Sequence, residues 1–203
     1  MGLYDRFVLP RQVSLAMKRS MLAERRAALV PRAKGTVLEV GIGSGLNLPY
    51  YSHAVERVYA VDPSPQLLAM ARSNARKAKL AVELVCESAE RLPFAAASFD
   101  CAVMTWTLCS MPDALTALRE VRRVLKPGGK LFFAEHGLSP DTRVAAWQRR
   151  LTPLWRPLTG GCHLDRPIDA LIRTAGFAID ELQNQYLKGP KPFTYMYEGS
   201  ARA

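Results

Sequence analysis

Five short apolar runs, rich in β-branched and aromatic residues, constrain this chain more than any other feature. They are residues 36–40 (TVLEV), 57–61 (RVYAV), 82–86 (VELVC), 99–105 (FDCAVMT) and 130–135 (KLFFAE). Such runs suit strands buried on both faces. Helical patterns separate most of them. Ser64 stands as a cap before an apolar line through Leu67, Leu68, Met70 and Ala71. Pro112 opens a second helix, with Leu115, Leu118, Val121, Val124 and Leu125 at helical spacing, stopped by Pro127-Gly128-Gly129. Continuous apolar strands alternating with amphipathic helices predict an α/β fold, a doubly wound parallel sheet covered on both faces.

The rhythm changes after Gly137. Residues 141–156 read as a helix with Trp147, Leu151 and Trp155 on one face, until Pro153 and Pro157 interrupt it. A short helix at 167–175 comes next, then two late strands near 177–187 and 193–201 joined by the turn "KGPKP". A chain of 203 residues supports one ordinary core. The expected organisation is a single domain over 1–203: a basic helical segment at 1–35, a central unit at 36–137, and a tail of helices and strands at 138–203.

Several classes are excluded as expectations. No apolar run reaches the ~18 residues that span a bilayer, and the opening "MGLYDRFVLPRQ" lacks the apolar core of a signal peptide. Cys86, Cys101, Cys109 and Cys162 form no CxxC pair or zinc spacing, so they read as reduced thiols of a cytoplasmic protein, and no metal site is expected. The net charge is +10, and residues 1–35 alone hold eight basic and two acidic groups. That imbalance points to an anionic partner: acidic lipid, nucleic acid or an acidic substrate. Nothing in the sequence fixes an oligomeric state.

The stretch "VLEVGIGSGLNLPYY", residues 37–51, carries the first strand into a glycine-rich turn. Gly41, Gly43 and Gly45 allow positive φ and leave the backbone bare for a ligand at the carboxyl end of the sheet. The dinucleotide fingerprint is G-x-G-x-x-G; here the third glycine comes one residue early, and Leu46 takes the place reserved for helix packing. Two acids strengthen the reading. Glu39 lies inside the first strand, where a purely structural strand would not hold a carboxylate. Asp62 ends the second strand about twenty residues beyond the turn, where an acid accepts bonds from both ribose hydroxyls.

Together with "VYAVDPSP", "ESAERLPFAAASFDCAV" and "LREVRRVLKPGGKLFFAEH", this stretch resembles the successive motifs of class I S-adenosylmethionine-dependent methyltransferases, in order over residues 36–137. The resemblance implies a Rossmann-like sheet of seven strands, mostly parallel, with the last strand antiparallel to its neighbours, and S-adenosyl-L-methionine as cofactor. It further implies that Gly41, Gly43 and Gly45 approach the cofactor, that Asp62 with Pro63 after it binds the ribose side, and that Glu39 orients the turn or meets the methionine ammonium through water. Ser88, Ala89 and Glu90 fall in the adenine-side loop; many relatives carry aspartate where Ser88 stands, so a backbone amide would serve there. Thr105 and Trp106 end the fourth strand beside the transferable methyl group.

Methyl transfer needs alignment in a dry pocket, and a base only where the acceptor carries a proton. His136, at the end of the fifth strand, and His163 in "GGCHL" are the candidate bases. Nucleic acid is disfavoured as an acceptor: the D/N-P-P-Y/F sequence of amino-methylating DNA enzymes is replaced by "TWTL", and there is no Pro-Cys pair or target-reading domain. Drawn as one helix, residues 13–30 align Leu15, Leu22 and Leu29 between Lys18, Arg25 on one flank and Arg19, Arg26 on the other. Such a stripe fits peripheral contact with an anionic membrane, or a lid over the cofactor with a solvated rim. "TWTLCSMPD", "AEHG", "GGCHLDRPIDALIRTAGF" and "YMYEGSARA" are similar to the membrane-associated small-molecule thiol methyltransferases of the methyltransferase-like protein seven type, whose N-terminal membrane segment has no counterpart here. This implies a small lipophilic substrate, a thiol first. Phosphatidylethanolamine (N-methylation) and a quinone ring (C-methylation) remain as alternatives, as does a non-catalytic protein that only binds S-adenosylmethionine.

Overall fold

The computed structural model describes residues 9–203; residues 1–8 of the expected basic segment lie outside them. Its seven strands are β1 (Gly35–Val40), β2 (Val55–Val61), β3 (Ala81–Val85), β4 (Phe99–Thr105), β5 (Leu125–His136), β6 (Ala178–Tyr186) and β7 (Tyr195–Arg202). They form one sheet in the order β3-β2-β1-β4-β5-β7-β6. β1 pairs in parallel with β2 on one side and β4 on the other, so the strand order reverses there and leaves a crevice at the carboxyl ends. β7 runs antiparallel to both β5 and β6. The sheet is therefore the mostly parallel, seven-stranded one that the sequence implied.

Helices cover both faces: α1 (Leu9–Ala16), α2 (Ser20–Leu29), α3 (Pro65–Lys77), α4 (Ala114–Val124), α5 (Thr142–Leu158) and α6 (Ile168–Thr174). Successive residues of a strand point to opposite faces, and the two apolar layers obey that alternation. Val37, Val58, Val103 and Phe132 pack with Leu29 of α2 and Leu68 of α3. Leu38, Ala102, Leu131 and Phe133 pack on the other side with Leu118 of α4 and Ile172 of α6. Ser64 does cap α3, its hydroxyl accepting the Leu67 amide at 3.3 Å.

Three elements differ from the sequence reading. The helix drawn over 13–30 is two helices, broken between Ala16 and Ser20, where Arg19 turns to an extended ψ of 141°; the buried Arg26 donates from Nη1 to the Met17 carbonyl at the break, at 3.0 Å. Helix α4 starts after Asp113, whose carboxylate accepts the Thr116 amide at 3.0 Å, and it ends at Val124; Leu125 already pairs with Phe99. Pro127-Gly128-Gly129 therefore lies within β5, at a register shift, and does not end the helix. Helix α5 continues through Pro153 and Pro157, both of them exposed, while Val144, Ala145, Gln148 and Thr152 hold its inner side.

Candidate functional site

The crevice at the strand reversal holds a cavity of about 600 Å³. Its wall brings together most of the residues expected to hold a cofactor: Gly41 and Gly43, Asp62 and Pro63, Ser88, Ala89 and Glu90, and Thr105 and Trp106. The turn is shaped by three glycines at positive φ, and they do different work. A side chain at Gly41 would run into Thr107, so this glycine lets the turn after β1 pack against the turn after β4. A Cβ on Gly43 would meet nothing within 4 Å, which leaves bare backbone facing open space. Gly45 is not in the wall. Its Cβ would crowd Leu48, Asn74 and Ala71 at 3.2–3.4 Å, so it serves the packing of the turn on α3, a correction to its expected approach to the cofactor.

Asp62 ties these pieces together. One carboxylate oxygen accepts the Gly43 amide and the other the Ser64 amide, each at 2.9 Å. Burial pushes its pKa up, and the two amides pull it back. Each oxygen keeps lone pairs for a further donor such as a ribose hydroxyl.

Glu39 stands behind the wall instead of in it. Burial drives its pKa up to about 7, while the Tyr51 hydroxyl donates to Oε2 at 2.9 Å and lowers it in part. Between this acid and the cavity lie two residues that the sequence reading did not single out for the site. Asn47 donates to Thr105 Oγ1 at 3.0 Å and accepts from Arg26 Nε at 3.1 Å. Arg26 lines the cavity and stacks on Trp106, with its guanidinium carbon 4.7 Å from the ring centroid. Asn47 was within the glycine stretch, where an amide two residues past the last glycine is the signal; Arg26 offered none beyond its charge. The expectation that Arg26 flanks a solvated stripe is overturned by its burial, at 4% exposure.

Trp106 adopts φ +53°, a left-handed conformation uncommon for a bulky residue. It is fixed from several sides. Its amide donates to the Ala134 carbonyl at 2.8 Å, and the next turn is gathered by Glu135, whose oxygens accept the Thr107 and Cys109 amides at 2.9 and 3.3 Å. Arg166 donates to the Leu108 and Met111 carbonyls, holding the far end of the same loop.

The two histidines do not reach this wall. His136 is buried on β5 with Nδ1 3.8 Å from Cys162 Sγ, and burial pushes its pKa down to about 4. His163 is half-buried in the loop after α5, its amide donating to the Cys109 carbonyl at 2.7 Å. Burial and the charges of Arg166 and Arg156 lower its pKa too. Neither His136 nor His163, the two expected bases, is among the residues of the cavity wall, and the His136 ring packs beside Cys162 instead. The remainder of the cavity wall includes Pro10, Ser14 and Met17 at α1, Trp106 and Met111 after β4, and Arg156 and Pro157 at the end of α5.

Known proteins share both the motifs and the fold that build this site. Residues 38–133 match the family described as Methyltransferase domain. Thiol S-methyltransferase TMT1B of Rattus norvegicus is 37% identical over 168 residues, which is 81% of this chain and 67% of that protein. Phosphatidylethanolamine N-methyltransferase of Cereibacter sphaeroides is 34% identical over 174 residues, 85% of this chain and 83% of its own. The crystal structure of a SAM-dependent methyltransferase from Methanosarcina mazei aligns with a TM-score of 0.65 at 25% identity, covering 82% of this chain and 91% of that one. The chain belongs to the class I S-adenosylmethionine-dependent methyltransferases. It is an enzyme of that family, and S-adenosylmethionine is its cofactor. The residues present fit that cofactor: bare backbone at Gly43, a carboxylate at Asp62 and a loop at Ser88–Glu90 share one wall.

Proposed function

We propose that the enzyme transfers a methyl group to a small lipophilic acceptor, and that the acceptor atom is a thiol sulfur. The observation that carries this reading is the part of the cavity where Met17, Trp106, Met111 and Pro157 share the wall with the two cations Arg26 and Arg156. Bound against Gly43 and Asp62, the cofactor supplies an electrophilic methyl on a positively charged sulfur. The chain's own residues then have two tasks. The apolar wall excludes water and holds the acceptor in line. The guanidinium of Arg26, which keeps its proton at all working pH values, favours the thiolate over the thiol, so the acceptor's proton leaves to solvent before transfer. Similarity to a protein named thiol S-methyltransferase over four-fifths of the chain supports the same acceptor.

Phosphatidylethanolamine N-methylation is the second reading, favoured by the similarity to the Cereibacter sphaeroides enzyme of that name. A panel of a short alkyl thiol, phosphatidylethanolamine in vesicles and a demethylated quinone, read by S-adenosylhomocysteine formed, tests both. Product with the thiol is expected. Product with phosphatidylethanolamine alone would replace the first reading with the second.

A further inference from the structure

The outer face of α5 carries Trp147, Leu154 and Leu158, exposed by 55%, 72% and 63%. Spacings of seven and eleven residues put the three on one stripe of the helix, while Val144, Ala145, Gln148 and Thr152 turn inward. Leu15 on α1 is exposed by 72%. Leu15, Leu154 and Leu158 flank the cavity. Leu15 sits between the wall residues Ser14 and Met17, and Leu154 and Leu158 lie beside the wall residues Arg156 and Pro157. The same two segments are strongly basic. Residues 9–20 and 142–158 contain Arg11, Lys18, Arg19, Arg143, Arg149, Arg150 and Arg156 and no aspartate or glutamate. All seven cations are exposed, and Arg150 folds over the Trp147 ring at 5.9 Å.

We infer that α1 and the outer stripe of α5 form one docking face for a bilayer containing anionic lipid, with the cavity opening at that face. This deepens, and rests on, the reading of a lipophilic acceptor: a substrate dissolved in the membrane would enter the cavity without crossing water. Exposed leucines and a tryptophan between arginines suit the boundary of headgroups and acyl chains, where the apolar side chains enter and the cations meet lipid phosphates. Nucleic acid offers the charge but no place for Leu15, Leu154 and Leu158. A second copy of the chain offers apolar surface, but brings a net +10 against another +10. A bilayer with anionic lipid answers both features at once.

The test is co-sedimentation of the full chain with phosphatidylcholine vesicles, with and without phosphatidylglycerol. Binding is expected to the mixed vesicles, to fall as salt rises, and to drop by about tenfold or more in the Trp147→Glu and Leu154→Glu variants. Neither residue is in the cavity wall, so turnover of a water-soluble thiol should be unchanged in both. Absence of vesicle binding, or variants that bind as the wild type does, would overturn the proposal. So would a wild-type dimer in light scattering that the variants dissociate, which would assign the face to a second copy, or DNA binding that the same variants weaken. If vesicles bind as expected and no thiol is methylated, the acceptor reading fails and the docking face stands.

Discussion

The guanidinium of Arg26 lies over the indole of Trp106 and also donates from Nε to Asn47, so a residue of α2 is tied at once to the end of β4 and to the glycine turn. A planar cation does both; a lysine could do one. Arg26→Lys should therefore keep the charge at the cavity while losing the stack and the fork. Its kcat/KM should fall about tenfold, and Arg26→Met should fall by roughly a further tenfold, as expected for losing charge-assisted bonds of about 1.5–3 kcal/mol. Steady-state kinetics with a soluble thiol checks both. Two variants with equal loss would show that the stack and the hydrogen bonds matter and the charge does not.

Asp62 joins Gly43 to the start of α3 and offers its remaining lone pairs to the cavity. Asp62→Ala should weaken S-adenosylmethionine by about 1.5–3 kcal/mol in calorimetry, the range for losing charge-assisted hydrogen bonds. Unchanged affinity would remove Asp62 from the ribose side. The same titration with NAD should show no tight binding.

The glycines of the turn separate ligand contact from packing. Both Gly43 and Gly45 have positive φ, so alanine at either costs roughly 1–2 kcal/mol in backbone strain. Only Gly45 adds crowding against α3, whereas only Gly43 faces the cavity. Gly45→Ala should lower the melting temperature more than Gly43→Ala, and Gly43→Ala should weaken cofactor binding more than Gly45→Ala. Thermal melts and calorimetry on the two variants give the answer. The reverse order would exchange their roles.

The parts of this site that the sequence made legible are those set by local chain chemistry. Gly41, Gly43 and Asp62 were legible because a tight turn and a strand end each demand a residue type at a fixed spacing. The strands were legible because both of their faces are buried. Gly45 was misassigned because positive φ is needed equally for ligand approach and for helix packing, and only Ala71 and Asn74 of α3 tell the two apart. Arg26 was misread for a related reason: its partners Asn47 and Trp106 come from other elements, and no helical wheel includes them. Pro153 and Pro157 failed as helix stops because both stand on the exposed side of a helix whose inner side is packed, and that packing is set by the tertiary fold. The histidines were chosen by their position at a strand end and in a loop, which fixes where the backbone is but not where the ring goes.

Glu39 makes stability depend on pH in a direction opposite to that of a salt-bridged acid. Its folded pKa is raised to about 7 from an ordinary 4.5, chiefly by burial. Between those values the folded chain holds a proton that the unfolded chain has released. The resulting stability is fully present below the unfolded pKa and is lost as pH rises through the folded one. Glu39→Gln removes this titration. Relative to wild type, the variant should gain about 1–3 kcal/mol in urea unfolding between about pH 5 and about pH 8. An offset that does not change with pH would mean that Glu39 is ionised in the folded state throughout.

With no histidine at the cavity wall, the pH dependence of turnover should belong to the acceptor. His136 has a pKa of about 4 and stays neutral through the working range, and His163 is lowered as well. A free thiol ionises near pH 8.5, and the thiolate is the nucleophile. At saturating cofactor and saturating thiol, the rate should therefore climb by about tenfold per pH unit below the bound thiol's pKa and level off above it. That pKa should lie below the thiol's value in water, because Arg26 favours the anion. Arg26→Met should move the levelling point upward, toward the free thiol's value. His136→Asn and His163→Asn should leave the profile where it is, with any loss of folding read separately from their melting curves. A break near pH 6–7 that vanishes in either histidine variant would restore that residue as the base, and would show that the cavity rearranges around it during turnover.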